Sequence, residues 1–119
     1  MRAVEIDPVS KTVTEIDIKQ NPNKTLAEIY QRIGCELVEM VCIDEDMVLI
    51  CDEEGRLKDF KGAFTFMASD LIIAGKAIVL GVKGENLRSI KGLVGVFETL
   101  TEWLSPEEVP PPVHRIFSI

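Results

Sequence analysis

A chain of 119 residues, 46% hydrophobic, has room for one domain with its own core, and a net charge of −7 sets it against direct nucleic-acid binding, which needs a basic surface. The longest apolar run, residues 71–80, is broken by Gly75 and Lys76 and falls short of the roughly 20 residues that span a bilayer. Residues 2–7 (RAVEID) place acids where a signal peptide needs an apolar stretch, so a cytoplasmic protein without membrane contact is expected.

Residues 2–6 are strand-like, turn residues follow at 7–11, and 12–18 alternates with Thr14, Ile16 and Ile18 on one face, which predicts an opening hairpin. After the break at Asn21-Pro22-Asn23, Thr25 and Glu28 have the spacing of a capping box. Leu26, Ile29, Tyr30 and Ile33 then share a helical face, and Gly34 stands where a left-handed residue ends a helix.

Residues 35–43 and 47–51 read as two strands joined by an acidic turn. Between Glu36 and Glu54 lie eight carboxylates (Glu36, Glu39, Asp44, Glu45, Asp46, Asp52, Glu53, Glu54) and no Lys or Arg, while the other hundred residues sum to +1. Such a folded sheet edge with a strong negative field suits a cationic partner. Gly55, after Asp52-Glu53-Glu54, suits a turn at positive φ. Residues 64–66 read as another strand, and 76–82 is apolar on both faces, as an interior strand is. The short links favour antiparallel pairing.

After Gly84 the period changes. Leu93, Val96, Phe97, Leu100, Trp103 and Leu104 recur at helical spacing, which predicts a longer amphipathic helix within 86–104, ended by Ser105-Pro106. Residues 110–119 form a tail tethered by Pro110-Pro111-Pro112 whose Val113, Ile116, Phe117 and Ile119 are expected to dock on the domain or on a neighbouring subunit. The expected fold is α+β: a mainly antiparallel sheet of about five strands, with one short and one longer amphipathic helix packed on it, forming a single domain over 1–109.

Residues 1–8 (MRAVEIDP), 26–35 (LAEIYQRIGC), 52–58 (DEEGRLK) and 74–81 (AGKAIVLG) together resemble a family of small domains of unknown function, widespread in bacteriophages, plasmids and other mobile elements. The resemblance covers residues 1–82 and departs from the family pattern between Phe64 and Ile73; the helix at 86–104 reads as an addition. It implies a phage or mobile-element origin, and no reaction.

The chemical motifs are sparse. A nucleophilic triad needs a histidine positioned by a carboxylate, and the one histidine, His114, sits in the proline-tethered tail. Asp44-Glu45-Asp46 lacks the alternating ligands of a calcium loop, and Cys35, Cys42 and Cys51 lack the spacing of a zinc site or redox pair, so reduced, buried thiols, no bound metal and no cofactor are expected. Gly81-x-x-Gly84 and Gly92-x-x-Gly95 lack the lysine and hydroxyl of a phosphate loop and read as close-packing glycines.

Three functions follow. In the first, a non-enzymatic binding protein uses the acidic hairpin to imitate nucleic acid and engages a host protein, neutralising host machinery or defence. In the second, a homo-oligomer assembled through Trp103, Val113, Ile116, Phe117 and Ile119 sequesters a small nucleotide near Lys76, Lys83, Arg88 and Lys91. The third, a metal-dependent nucleotide-processing enzyme, has the least behind it.

Overall fold

The computed structural model describes residues 1–21 and 23–110. Strands β1 (Arg2–Asp7) and β2 (Thr12–Asp17) form the expected hairpin, and helix α1 (Thr25–Ile33) follows. Strands β3 (Val38–Asp44) and β4 (Met47–Asp52) form the acidic hairpin, and a 3₁₀ turn (Gly55–Leu57) leads to β5 (Ala63–Phe66) and β6 (Ile72–Ala74). Next come β7 (Ala77–Lys83), β8 (Asn86–Arg88), helix α2 (Val94–Leu100), β9 (Thr101–Leu104) and a 3₁₀ turn (Pro106–Glu108).

The architecture is α+β and antiparallel, as expected; among the described residues a main sheet of six strands is joined by a second sheet of three. The larger sheet runs β2-β1-β7-β4-β3, with β8 also paired to β7; the smaller runs β6-β5-β9. Residues opposite one another across antiparallel strands share a face. Ile6, Ala77 and Cys51 therefore form one row, and Val4, Val79 and Leu49 the next, against Phe64, Phe66, Ile73, Ile90 and Phe97 of the smaller sheet and α2 region. On the reverse face Ile50, Ile78, Val48 and Leu80 pack with Ala3, Ile18 and Ile29 of α1. β7 is thus sandwiched between both cores and buried from Ala77 to Gly81, as its two-sided apolar sequence predicts.

The longer helix expected within 86–104 is not formed. α2 has seven residues, fewer than the nine of α1, and the chain turns extended at Thr101 (φ −99°, ψ 128°) so that Trp103 pairs with Phe64 across β5 and β9. Leu93 and Val96 of the supposed buried stripe are 74% and 53% exposed. The β-branched and aromatic residues Thr101 and Trp103 fit a pleated surface, and the cross-strand partner outweighs the local helical period.

Two local expectations are also revised. Lys24, not Thr25, caps α1, and without a side-chain bond. The Thr25 hydroxyl lies within hydrogen-bonding distance of the Lys19 and Asn21 carbonyls, while Glu28 Oε1 accepts from the Lys19 amide (3.0 Å) and Oε2 from Arg32 Nε (3.0 Å). The pair pins the β2–α1 linker to the helix instead of capping its start. These bonds, the Lys19 amide first, hold the Glu28 carboxyl below its ordinary value of 4.5. A depressed folded-state pKa supplies stability above the unfolded value that is lost as pH falls through the folded one. Thermal melts should therefore show stability declining below pH 4.5 more steeply in the natural chain than in Glu28→Gln.

Gly55 is not at positive φ. A Cβ there would lie 2.6 Å from the Ala74 carbonyl oxygen, so the residue serves close backbone approach between the 3₁₀ turn and β6. Gly55→Ala should cost about 1–3 kcal/mol in urea denaturation, as overpacking against backbone does. Gly34, by contrast, adopts the expected left-handed conformation (φ 79°), its amide bonding the Tyr30 carbonyl at 2.8 Å.

Candidate functional site

β3 is an edge strand of the larger sheet, so the acidic hairpin borders solvent along its outer side. The register divides its carboxylates. Glu39 lies opposite Cys51 and Asp52 opposite Val38, which places them on opposite faces. Asp44, Glu45 and Asp46 sit at the hairpin tip, while Glu36, Glu39, Asp52, Glu53 and Glu54 gather at the other end of β4, about 17 Å away by strand rise.

The two ends differ electrically. At the tip, Asp44 Oδ1 accepts from the Asp46 amide (2.8 Å), next to an irregularity in register between Cys42 and Asp44. Asp46 also lines a cavity of about 360 Å³ with Lys83, Arg88 and Lys91, so one of the three tip acids faces cations. At the far end Asp52 is committed internally. Its Oδ1 accepts from the Glu54 amide (2.9 Å) and its Oδ2 from Lys58 Nζ (2.8 Å), and that hydrogen bond raises the lysine's pKa. Glu36, Glu39, Glu53 and Glu54 are exposed and form no ion pair among the described residues.

A cavity of about 570 Å³ opens at this end, where the C-terminus of α1 meets the hairpin. Tyr30 forms part of its wall with Glu36, Leu37, Asp52, Glu54 and Lys58. An aromatic ring beside carboxylates is suited to a cationic side chain, through the ring quadrupole and direct ion pairing together. Tyr30, expected as core packing, is half-buried on this wall. The fold brings Glu36 and Glu54 beside it, which the helical spacing alone does not indicate.

The cationic residues expected to form one anion site are separated. Lys83, Arg88 and Lys91 share the cavity at the hairpin tip, but Lys76 lies at the opposite end of β7, in a cleft with Lys19, Lys24 and Arg32. Trp103 is half-buried and packs edge-on against Phe64 (6.3 Å, 70°), on the outer strand of the smaller sheet. Val113, Ile116, Phe117 and Ile119, and His114, lie outside the described residues.

The thiols differ in setting. Burial pushes Cys51 up to about 12, helped by the nearby charges of Glu39 and Asp52, and burial likewise raises Cys35; both are poor nucleophiles at neutral pH. Cys42, expected to be buried, is exposed: it lies opposite Val48 on the α1 side of the sheet, but on the edge strand β3, outside the cluster that packs there. Among the described residues, no three His, Cys, Asp or Glu side chains are grouped to hold a metal ion, and no helix is long and apolar enough to cross a membrane.

An uncharacterized protein, y4iR, of Sinorhizobium fredii (strain NBRC 101917 / NGR234) is 33% identical over 81 residues, which are 68% of this chain and 48% of that protein. The chain thus matches about half the length of this relative. No solved structure gives a significant match. The profile of one family matches residues 1–101, so that the matched span runs past residue 82 and takes in α2. With the acidic hairpin, α1, α2 and strands β1 to β8 inside that span, the chain belongs to the family described as Domain of unknown function (DUF3846).

Proposed function

We propose that this chain is a non-enzymatic binding protein of phage or mobile-element type, which engages a cationic host protein through the acidic end of the β3–β4 hairpin. The observation that carries the reading is the concentration there of four exposed carboxylates that form no ion pair among the described residues: Glu36 and Glu54 line the cavity beside Tyr30, and Glu39 and Glu53 line a second one with Arg56, next to the edge strand β3. An exposed edge strand offers unpaired backbone groups, and the acids beside it select a partner of positive charge. The tip contributes less, since Asp46 shares a cavity with Lys83, Arg88 and Lys91.

In this reading Lys58 is an internal cation held by Asp52, and an incoming Lys or Arg side chain is received by Tyr30, Glu36 and Glu54 on the same wall. The acids would stand in for the phosphates of a nucleic acid in the partner's basic groove. The sequestering alternative has less support, because the four cations it needs lie in two separate cavities.

The test compares two sets of charge reversals in capture of basic proteins from a host lysate. Glu36→Lys, Glu39→Lys, Glu53→Lys and Glu54→Lys together should abolish the retention of a partner held by the natural chain, whereas Asp44→Lys, Glu45→Lys and Asp46→Lys should leave most of it. Equal retention by the natural chain and the first variant would refute the assignment.

A further inference from the structure

A second charged surface lies where no sequence motif pointed. Lys19 follows β2, Lys24 caps α1, Arg32 lies in the last turn of α1, and Lys76 follows the left-handed Gly75 (φ 86°) between β6 and β7. These four cations, brought together from three parts of the chain, line one open cleft of about 710 Å³. Its carboxylates are Glu5 and Glu28, which leaves the cleft with a net charge of +2 in a chain of −7.

Both carboxylates are engaged with Arg32. Glu28 Oε2 accepts from Arg32 Nε at 3.0 Å, and Glu5 Oε1 lies 4.0 Å from Arg32 Nη1. The guanidinium is thereby oriented while its side chain stays 34% exposed, and its Nη2 makes no hydrogen bond among the described residues. The ammonium groups of Lys19, Lys24 and Lys76 form no ion pair within 4.0 Å among the described residues.

We propose that this cleft binds a small ligand carrying two or more adjacent phosphate charges, with Arg32 as its oriented anchor and Lys19, Lys24 and Lys76 as surrounding point charges. Several cations converging from separate elements match an anion of high charge better than a single carboxylate, and an oriented guanidinium matches the geometry of phosphate oxygens. The ligand is small because the surface outside the cleft is strongly negative and would repel a long polyanion, whereas a compact one stays within about 10 Å of the cations, the screening length at 0.1 M salt. Among the described residues no aromatic ring lines the cleft, so recognition rests on the phosphates rather than on stacking of a base. The cavity of Lys83, Arg88 and Lys91 is the weaker candidate, since Asp46 lines it and Asp44 and Glu45 adjoin it in the hairpin tip. The inference is independent of the cationic-partner surface.

The experiment is a titration of the ¹⁵N-labelled full chain with sodium pyrophosphate at about 50 mM salt, followed by amide chemical shifts, with sodium acetate as the control anion. Saturable shifts are expected at Lys19, along residues 24–32 and at Lys76, and acetate should not reproduce them. Lys19→Gln with Lys76→Gln should weaken pyrophosphate binding by about tenfold or more while keeping a native spectrum, since each removes a charge-assisted bond on the surface. Lys83→Gln with Lys91→Gln should change it by less than about twofold. The proposal is overturned by shifts centred on residues 83–91, by no saturable shift up to about 10 mM, by an equal response to acetate, or by unchanged affinity in the first double variant.

Discussion

Phe64→Ala is expected to destabilise the fold by about 3–5 kcal/mol, the cost of removing a large buried aromatic and leaving a cavity. Phe64 is fully buried on β5, at the centre of the smaller sheet, where it meets the core formed with Val4, Ile6, Leu49 and Val79 and packs edge-on against Trp103. It is therefore a principal tie between the two sheets. Trp103 is the single tryptophan, so its fluorescence in a urea titration reports on that contact directly. A shift of the midpoint equivalent to less than about 1 kcal/mol would mean that the smaller sheet is not packed as described. Phe64→Leu, which keeps most of the apolar volume, should cost clearly less.

Ile78→Asp should have a still larger effect. Ile78 is fully buried in β7, between β1 and β4, and faces the α1 side of the sheet beside Ile50. A carboxylate there loses its hydration and lies opposite Glu5, a like charge, in the β1–β7 register. The penalty is expected to exceed about 4 kcal/mol, comparable with the whole stability of a small domain, so the variant should be largely unfolded by circular dichroism at neutral pH. Ile78→Val should lose only about 0.5–1.5 kcal/mol and remain folded. A folded, cooperative Ile78→Asp would show that β7 does not occupy the interior.

Much of this fold is legible in the residues because the relevant signals are local. The β1–β2 alternation, the left-handed stop at Gly34, the acidic hairpin and the two-sided apolar run of β7 each rest on neighbours within a few positions. The region after Gly84 is different. Phe97, Leu100 and Trp103 satisfy a helical period, yet the partner that makes Thr101–Leu104 a strand is β5, nearly forty residues earlier. Only the pairing of distant strands settles that choice.

The candidate sites divide in the same way. The composition of the acidic segment is plain in the sequence, but which acids share a surface depends on the β3–β4 register and on Lys58 neutralising Asp52. Lys76, Lys83, Arg88 and Lys91 are close in sequence and yet distribute to both ends of a strand. Lys19, Lys24 and Arg32 join Lys76 only because α1 packs across the reverse face of the sheet. The Glu28–Arg32 spacing of four was the one local sign of that arrangement, since such pairs meet on a helix surface.

The central claim, that charge at the far end of the acidic hairpin captures a cationic protein, is tested most directly by measuring the dissociation constant of the captured complex across a range of salt. The account predicts affinity falling by about tenfold or more between roughly 0.05 and 0.5 M salt, with that dependence largely lost in the Glu36→Lys, Glu39→Lys, Glu53→Lys, Glu54→Lys variant. An affinity that stays flat across the same range, or a variant that binds as the natural chain does, would contradict it.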